Sequence, residues 1–177
     1  MGALTLALEP AMTVVRRGLE SLIPALRRFA RALARNAETA DDLVQDTLVR
    51  ALRSEHLFHG GDLRTWLITI LLNLDGNRRR GLSRRPTLAA IEDVNPAGPP
   101  ASDGSARDIA RGLAMLPFEQ REVLLLITLE GLSYREAADV QGVPIGTVMS
   151  RLSRARVALR AHLEGERPQL RSVQSSH

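Results

Sequence analysis

The chain has no cysteine and no lysine, and its aromatic residues are few: three phenylalanines, Trp66 and Tyr134 among 177 residues. Without cysteine there are no disulfides, no thiol redox chemistry and no Cys-bearing zinc site, which fits a reducing cytoplasm without demanding it. Without lysine, arginine carries all the side-chain positive charge. Long hydrophobic runs are missing too. The strongest, Val123–Leu129, is far too short to span a bilayer. The mildly apolar segment Met1–Gly18 lacks a basic n-region and is broken by Glu9 and Pro10, so it does not read as a signal peptide. There is no phosphate-cradling glycine loop, no nucleophile elbow and no His-Glu-x-x-His. His56 and His59 share a glycine-containing loop, but nothing in sequence completes a tetrahedral metal site around them. The expectation is a soluble cytoplasmic protein without membrane insertion, metal, cofactor or catalytic residues.

The formal net charge is only +4, so the overall balance does not establish a nucleic-acid partner. Clustering is more informative. Arg78, Arg79, Arg80, Arg84 and Arg85 crowd one segment, and a second group lies in Leu132–Leu159. That stretch reads as two short helices about a glycine turn. Ser133 and Glu136 have the spacing of a capping box, and Ala137, Ala138 and Val140 give the first helix a small apolar face. Gly142 stands where a sharp turn favours a residue without a Cβ, and Pro144 has its φ already set for a first helical turn. Val148, Leu152, Ala155 and Leu159 then recur at helical spacing, which leaves Thr147, Ser150, Arg151, Arg154 and Arg156 facing outward. A helix-turn-helix whose second helix carries arginine, serine and threonine suits a DNA major groove. A solvated basic helix is the plainer alternative.

Val94–Ser105 is rich in proline and glycine with little to bury, and reads as a flexible linker. Before it, Leu22, Ile23, Leu26, Phe29, Ala30 and Leu33 form a stripe on a helix ending near Asn36. Thr39 as N-cap and Asp42 in the first turn open a second helix, with Leu43, Val44, Thr47, Leu48, Ala51 and Leu52 inward. A loop around His56–Asp62 leads to a third helix whose stripe is Leu63, Trp66, Leu67, Ile70, Leu71 and Leu74. After the linker, Ile109, Leu113 and Leu116 mark a short helix stopped by Pro117, and Glu119–Glu130 another that ends at Gly131. No β-alternation emerges. The fold class expected is all-α: two small helical bundles joined by a flexible linker, with an N-terminal extension 1–18, modules at 19–85 and 107–164, a linker at 86–106 and a polar tail at 165–177.

Asp42-Leu43-Val44-Gln45-Asp46-Thr47, Arg64-Thr65-Trp66-Leu67 with Asn73, Gly142-Val143-Pro144-Ile145-Gly146-Thr147-Val148 and Ser150-Arg151-Leu152-Ser153-Arg154-Ala155-Arg156 together resemble the extracytoplasmic-function group of bacterial sigma factors. The resemblance implies a factor that lends promoter recognition to core RNA polymerase, with a sigma region 2-like module for the −10 element and a region 4-like module for the −35 element. It also implies control by an anti-sigma factor. Asp42, Gln45 and Asp46 share one helix face, which the resemblance assigns to the clamp of the polymerase largest subunit; solubilising charges are the alternative. Phe58, Arg64, Trp66, Asn73, Asn77 and Arg78 are candidates for the −10 single strand through stacking, amide hydrogen bonds or charge, although Trp66 on an apolar stripe also suits a core. Leu63 departs from the aromatic often found there in relatives. A sigma-like adaptor that sequesters an anti-sigma factor without initiating transcription, or a dimeric repressor, would be the rival functions.

A free coil of about 22 residues between the modules would average ~25 Å end to end. Promoter elements one and a half to two duplex turns apart are separated by roughly 50–70 Å. The modules of the free chain are therefore expected to sample many relative positions.

Overall fold

The computed structural model describes residues 3–34, 36–83 and 104–165. Those residues form α1 (Ala3–Leu33), α2 (Ala37–Arg53), a 3₁₀ turn (Glu55–Leu57), α3 (Leu63–Ser83), α4 (Gly104–Met115), α5 (Phe118–Thr128), α6 (Tyr134–Gln141) and α7 (Ile145–Gly165). The fold is all-α. The expected linker core lies outside the described residues up to 103, and α4 begins at Gly104, inside the span expected to be linker.

In the first module α1 packs on α2 and α3. Leu26, Phe29, Ala30 and Leu33 are buried against Leu43, Val44, Ala51, Leu67 and Leu71, and Leu22 packs at the edge of this core. Ile68 and Leu72 are buried as well, so the apolar face of α3 is wider than the single stripe expected. Leu52 lies on the outer side of α2, 43% exposed. Thr47 is buried because its hydroxyl donates to the Leu43 carbonyl at 2.7 Å, which satisfies the polar atom inside the helix itself.

Three expectations change here. The segment read as an extension is helical, and its Val15 is fully buried beside Leu19 in the core. Arg16 reaches across to Glu55 with two hydrogen bonds of 3.1 and 2.8 Å, tying α1 to the 3₁₀ turn. Asn36 does not simply end the first helix: its side chain accepts from the Thr39 amide at 2.7 Å and so N-caps α2 in place of Thr39. Finally, Phe58 is buried at 4% exposure and meets the Trp66 ring at a centroid distance of 5.3 Å.

The second module wraps α4, α5 and α6 around α7, with Leu116, Val123, Leu125, Leu126, Val148, Leu152 and Ala155 inside. Ile109, expected in the α4 stripe, is 43% exposed. Gly112 is where α4 crosses α7: a Cβ there would sit 2.5 Å from Leu159 Cδ1 and 2.8 Å from His162 Cδ2. Arg121, in the first turn of α5, is 3% exposed. Its guanidinium donates to the carbonyls of Leu113, Ala114 and Leu116, at 2.6, 2.8 and 3.1 Å, and so stitches the α4–α5 corner.

The modules touch, contrary to the expectation of free relative movement. Arg121 Nη1 also donates to the Leu33 carbonyl at the C-terminus of α1, at 2.7 Å, where a helix leaves carbonyls unsatisfied and its dipole favours a cation. Arg64 of α3 pairs with Glu130, just beyond α5, at 2.5 Å. Arg79 stacks over the Phe118 ring.

Candidate nucleic-acid interface

The turn between α6 and α7 forms as its local chemistry dictates. Ser133 accepts from the Glu136 amide while Glu136 accepts from the Ser133 amide, at 3.2 and 2.8 Å, completing the capping box. Those hydrogen bonds favour the ionised carboxylate, so the Glu136 pKa lies below the ordinary value. Gly142 ends α6 in the left-handed region at φ 62°, and the Pro144 carbonyl accepts from the Thr147 amide at 2.8 Å to open α7.

Along α7 the buried side is Val148, Leu152 and Ala155, with Leu159 half-buried. Opposite it lie exposed Ser153 and Arg154, with half-buried Ser150 beside them. Arg154 Nη2 bonds Ser150 Oγ at 3.2 Å, and its Nε reaches the Ser150 carbonyl, so a guanidinium and a hydroxyl are presented together. Thr147 is half-buried; its carbonyl accepts from Ser150 Oγ at 3.0 Å.

Arg151 sits at the flank. It is half-buried and turned to Gln141 of α6, with Nη1 to Oε1 3.4 Å. Behind it lies Glu122 of α5, whose carboxyl is pushed up to about 7, chiefly by burial and against the opposing influence of Gln141, Arg79 and Arg151. Arg156 is exposed on the other flank, where it lines a depression of about 490 Å³ with Tyr134, Met149, Val157 and Arg160. Met149 is 47% exposed at the head of this face. Neither Met149 nor Ser153 was among the expected contacts, because an apolar residue and a serine one turn apart carry no signal in a pattern sorted by charge.

On the first module, Asn73 and Asn77 are exposed four residues apart on α3, one turn before the basic exit of that helix. Asn77 Oδ1 accepts from Arg80 at 2.7 Å, and exposed Arg78 donates to Thr39 Oγ1 at 3.0 Å. Asp62 caps the start of α3: its carboxylate accepts from the Thr65 amide at 3.0 Å and from the Arg64 amide at 3.2 Å. The Thr65 hydroxyl bond, then the two amides, hold its pKa below the ordinary range despite partial burial. Phe58 and Trp66 face each other rather than solvent, Phe58 buried and Trp66 half-buried. The aromatic stacking surface expected from Phe58 is thus enclosed: its ring lies in the core and packs against Trp66. Asp42, Gln45 and Asp46 are all exposed on α2. Among the described residues, no cluster of His, Cys, Asp and Glu could hold a metal ion, and no helix is long and apolar enough to cross a membrane.

Residues 106–159 match the family described as sigma-70, region 4, and residues 19–72 match the sigma2 domain of PhyR. The chain is 37% identical over 158 residues to the ECF RNA polymerase sigma factor EcfG of Rhodopseudomonas palustris, covering 87% of each. It is also 37% identical over 172 residues to the RNA polymerase sigma factor HrpL of Pseudomonas syringae, covering 88% of this chain and 92% of that one. Among solved structures it is similar to the sigma factor RpoE of Bartonella quintana, in complex with the anti-sigma factor NepR. That match has a TM-score of 0.72 at 35% identity, covering 86% of this chain and 98% of that one. Two matched regions flanking residues 84–103, joined to relatives along nearly their whole length, place the chain in the ECF family of RNA polymerase sigma factors.

Proposed function

We propose that this chain initiates transcription by presenting α7 to the −35 element and α3 to the −10 element while the exposed face of α2 engages the polymerase clamp. The observation that carries this reading is the pairing of Ser150 and Arg154 on the solvent side of α7, the second helix of a turn whose first helix is closed by the Ser133–Glu136 capping box and left-handed Gly142. Arginine reads guanine edges or grips phosphate, and a neighbouring hydroxyl adds a short-range contact. In α3, Asn73 and Asn77 offer amides to unstacked bases, and Arg78 and Arg80 offer charge to the backbone. The carboxylates of Asp42 and Asp46 would repel phosphate, so the face they share with Gln45 suits a basic protein surface.

The reading places the protein in the cytoplasm without a catalytic step of its own. Binding of an anti-sigma factor is supported by the likeness to a sigma factor solved with one. The DNA-directed side chains of α7 favour initiation over a purely sequestering adaptor, which has no use for them. Run-off transcription with core polymerase on a panel of promoters tests this: the chain should support initiation from a subset of them, and failure on every promoter despite a folded protein would reject the reading.

A further inference from the structure

Ion pairing and ring stacking along α3 are among the contacts between the modules, and one of them uses Arg64, a candidate for promoter DNA. Arg64 is the second residue of α3, and its partner Glu130 has a side chain only 1% exposed while that of Arg64 is 32% exposed. A carboxylate so enclosed is stable only with a cation beside it. The guanidinium meets Glu130 through Nε, so a phosphate drawn to Arg64 must compete with that carboxylate for its charge and position. Farther along α3, Arg79 lies over Phe118 and is held in the field of Glu122 and Glu119 from α5. Arg121 adds the bond to the end of α1. Three arginines from two modules thus close one seam.

We propose that Glu130 acts as an internal substitute for DNA phosphate: it occupies Arg64 in the free chain, so that docking of the modules and binding of the −10 strand exclude one another. Geometry points the same way. Modules of this size have radii of gyration of roughly 11 Å, so two in contact have centres within about 30 Å. Promoter elements roughly 50–70 Å apart require that separation to grow. The closed chain therefore holds its two DNA-reading helices too close to serve one promoter, and an incoming strand that takes Arg64 removes the charge that stabilises buried Glu130. The proposal rests on the assignment of Arg64 to the −10 strand.

The absence of cysteine makes the test direct, since labels at exposed Arg28→Cys and Ala158→Cys would be the only thiols. Pulsed electron-spin distance measurements on the doubly labelled full chain should give one short distance. A mixed-sequence single-stranded 12-mer should lengthen it. Glu130→Gln should lengthen and broaden it without DNA and raise affinity for the same 12-mer several-fold by fluorescence anisotropy, while Arg64→Glu with Glu130→Arg should restore the short distance. Phe118→Leu, which keeps an apolar side chain but removes the ring under Arg79, should also lengthen it and serves if Glu130→Gln fails to fold. A short distance unchanged by saturating 12-mer, or an opened variant with wild-type affinity for it, would overturn the proposal. These measurements use the free chain, so they stand apart from the transcription assay, whose failure would reject the promoter reading and leave the seam itself intact.

Discussion

Arginine does three different jobs in this lysine-free chain, and burial separates them. Arg121 is enclosed and spends its planar fork on main-chain carbonyls, a role that a point-charge ammonium would fill poorly. Arg151 is half-engaged with Gln141. Arg154 alone of the three is exposed and aligned with a hydroxyl. Arg154→Ala should therefore weaken holoenzyme binding to a −35-dependent promoter by about 1–3 kcal/mol if it reads a base, with the loss concentrated on particular sequences. A uniform loss across sequences, with a shallower salt dependence in the same binding titrations, would mean a phosphate contact. At Gly112 the demand is for absence of a side chain. Gly112→Ala must push aside Leu159 and His162 and should cost about 1–3 kcal/mol of overpacking, read from the urea midpoint of the variant against wild type.

At the scale of elements, α2 and the α5–α6–α7 packing make separate predictions. Asp46 is exposed on α2, off the buried side of Leu43, Thr47 and Ala51. Asp46→Arg should leave the melting temperature nearly unchanged while lowering affinity for core polymerase; wild-type affinity would make the face merely solubilising. Glu122 links α5 to α6 and α7 with a folded pKa of about 7 against an ordinary 4.5. Its folded form holds a proton that the unfolded chain gives up, so its stabilising effect is full below pH 4.5 and is lost as pH rises toward 7. The loss is at most about 3 kcal/mol. Glu122→Gln should flatten that part of the pH–stability curve, measured by chemical denaturation at successive pH values, and an unchanged slope would place the titration elsewhere. The α6–α7 turn was legible in the sequence because each signal is local: a serine three residues before a glutamate, a glycine at the left-handed position, a proline next. Phe58 and Arg64 were not, because an aromatic in a loop or a cation at the start of a helix looks alike whether it faces solvent or a ring or carboxylate supplied by a distant segment. The helical course of α1 through Pro10 was hidden for a related reason. Proline disfavours a helix interior locally, whereas the burial of Val15 and Leu19 that anchors this helix is tertiary.

For the whole molecule, the two bundles could be read from apolar periodicity and from the proline-rich break, but their mutual contact could not, since Arg121, Arg64 and Arg79 meet partners 88, 66 and 39 residues away. A chain that is closed when free and must reach two separated promoter elements depends on the residues between its modules for length. Residues 84–103 have a contour of at most about 70 Å, enough for elements roughly 50–70 Å apart once the modules separate. Deleting ten of them leaves a ceiling of about 35 Å. The shortened chain should keep the short inter-module distance in spin-label measurements, because the seam is made by helices on either side of the deletion. It should also still bind core polymerase and support initiation where the −10 element suffices. From promoters that need both elements, however, run-off transcription should fall steeply, and restoring ten residues of unrelated glycine and serine sequence should recover it, since length rather than identity is the requirement. Full activity of the shortened chain would mean that the modules span the promoter by their own width and that separation across residues 84–103 is not what initiation demands.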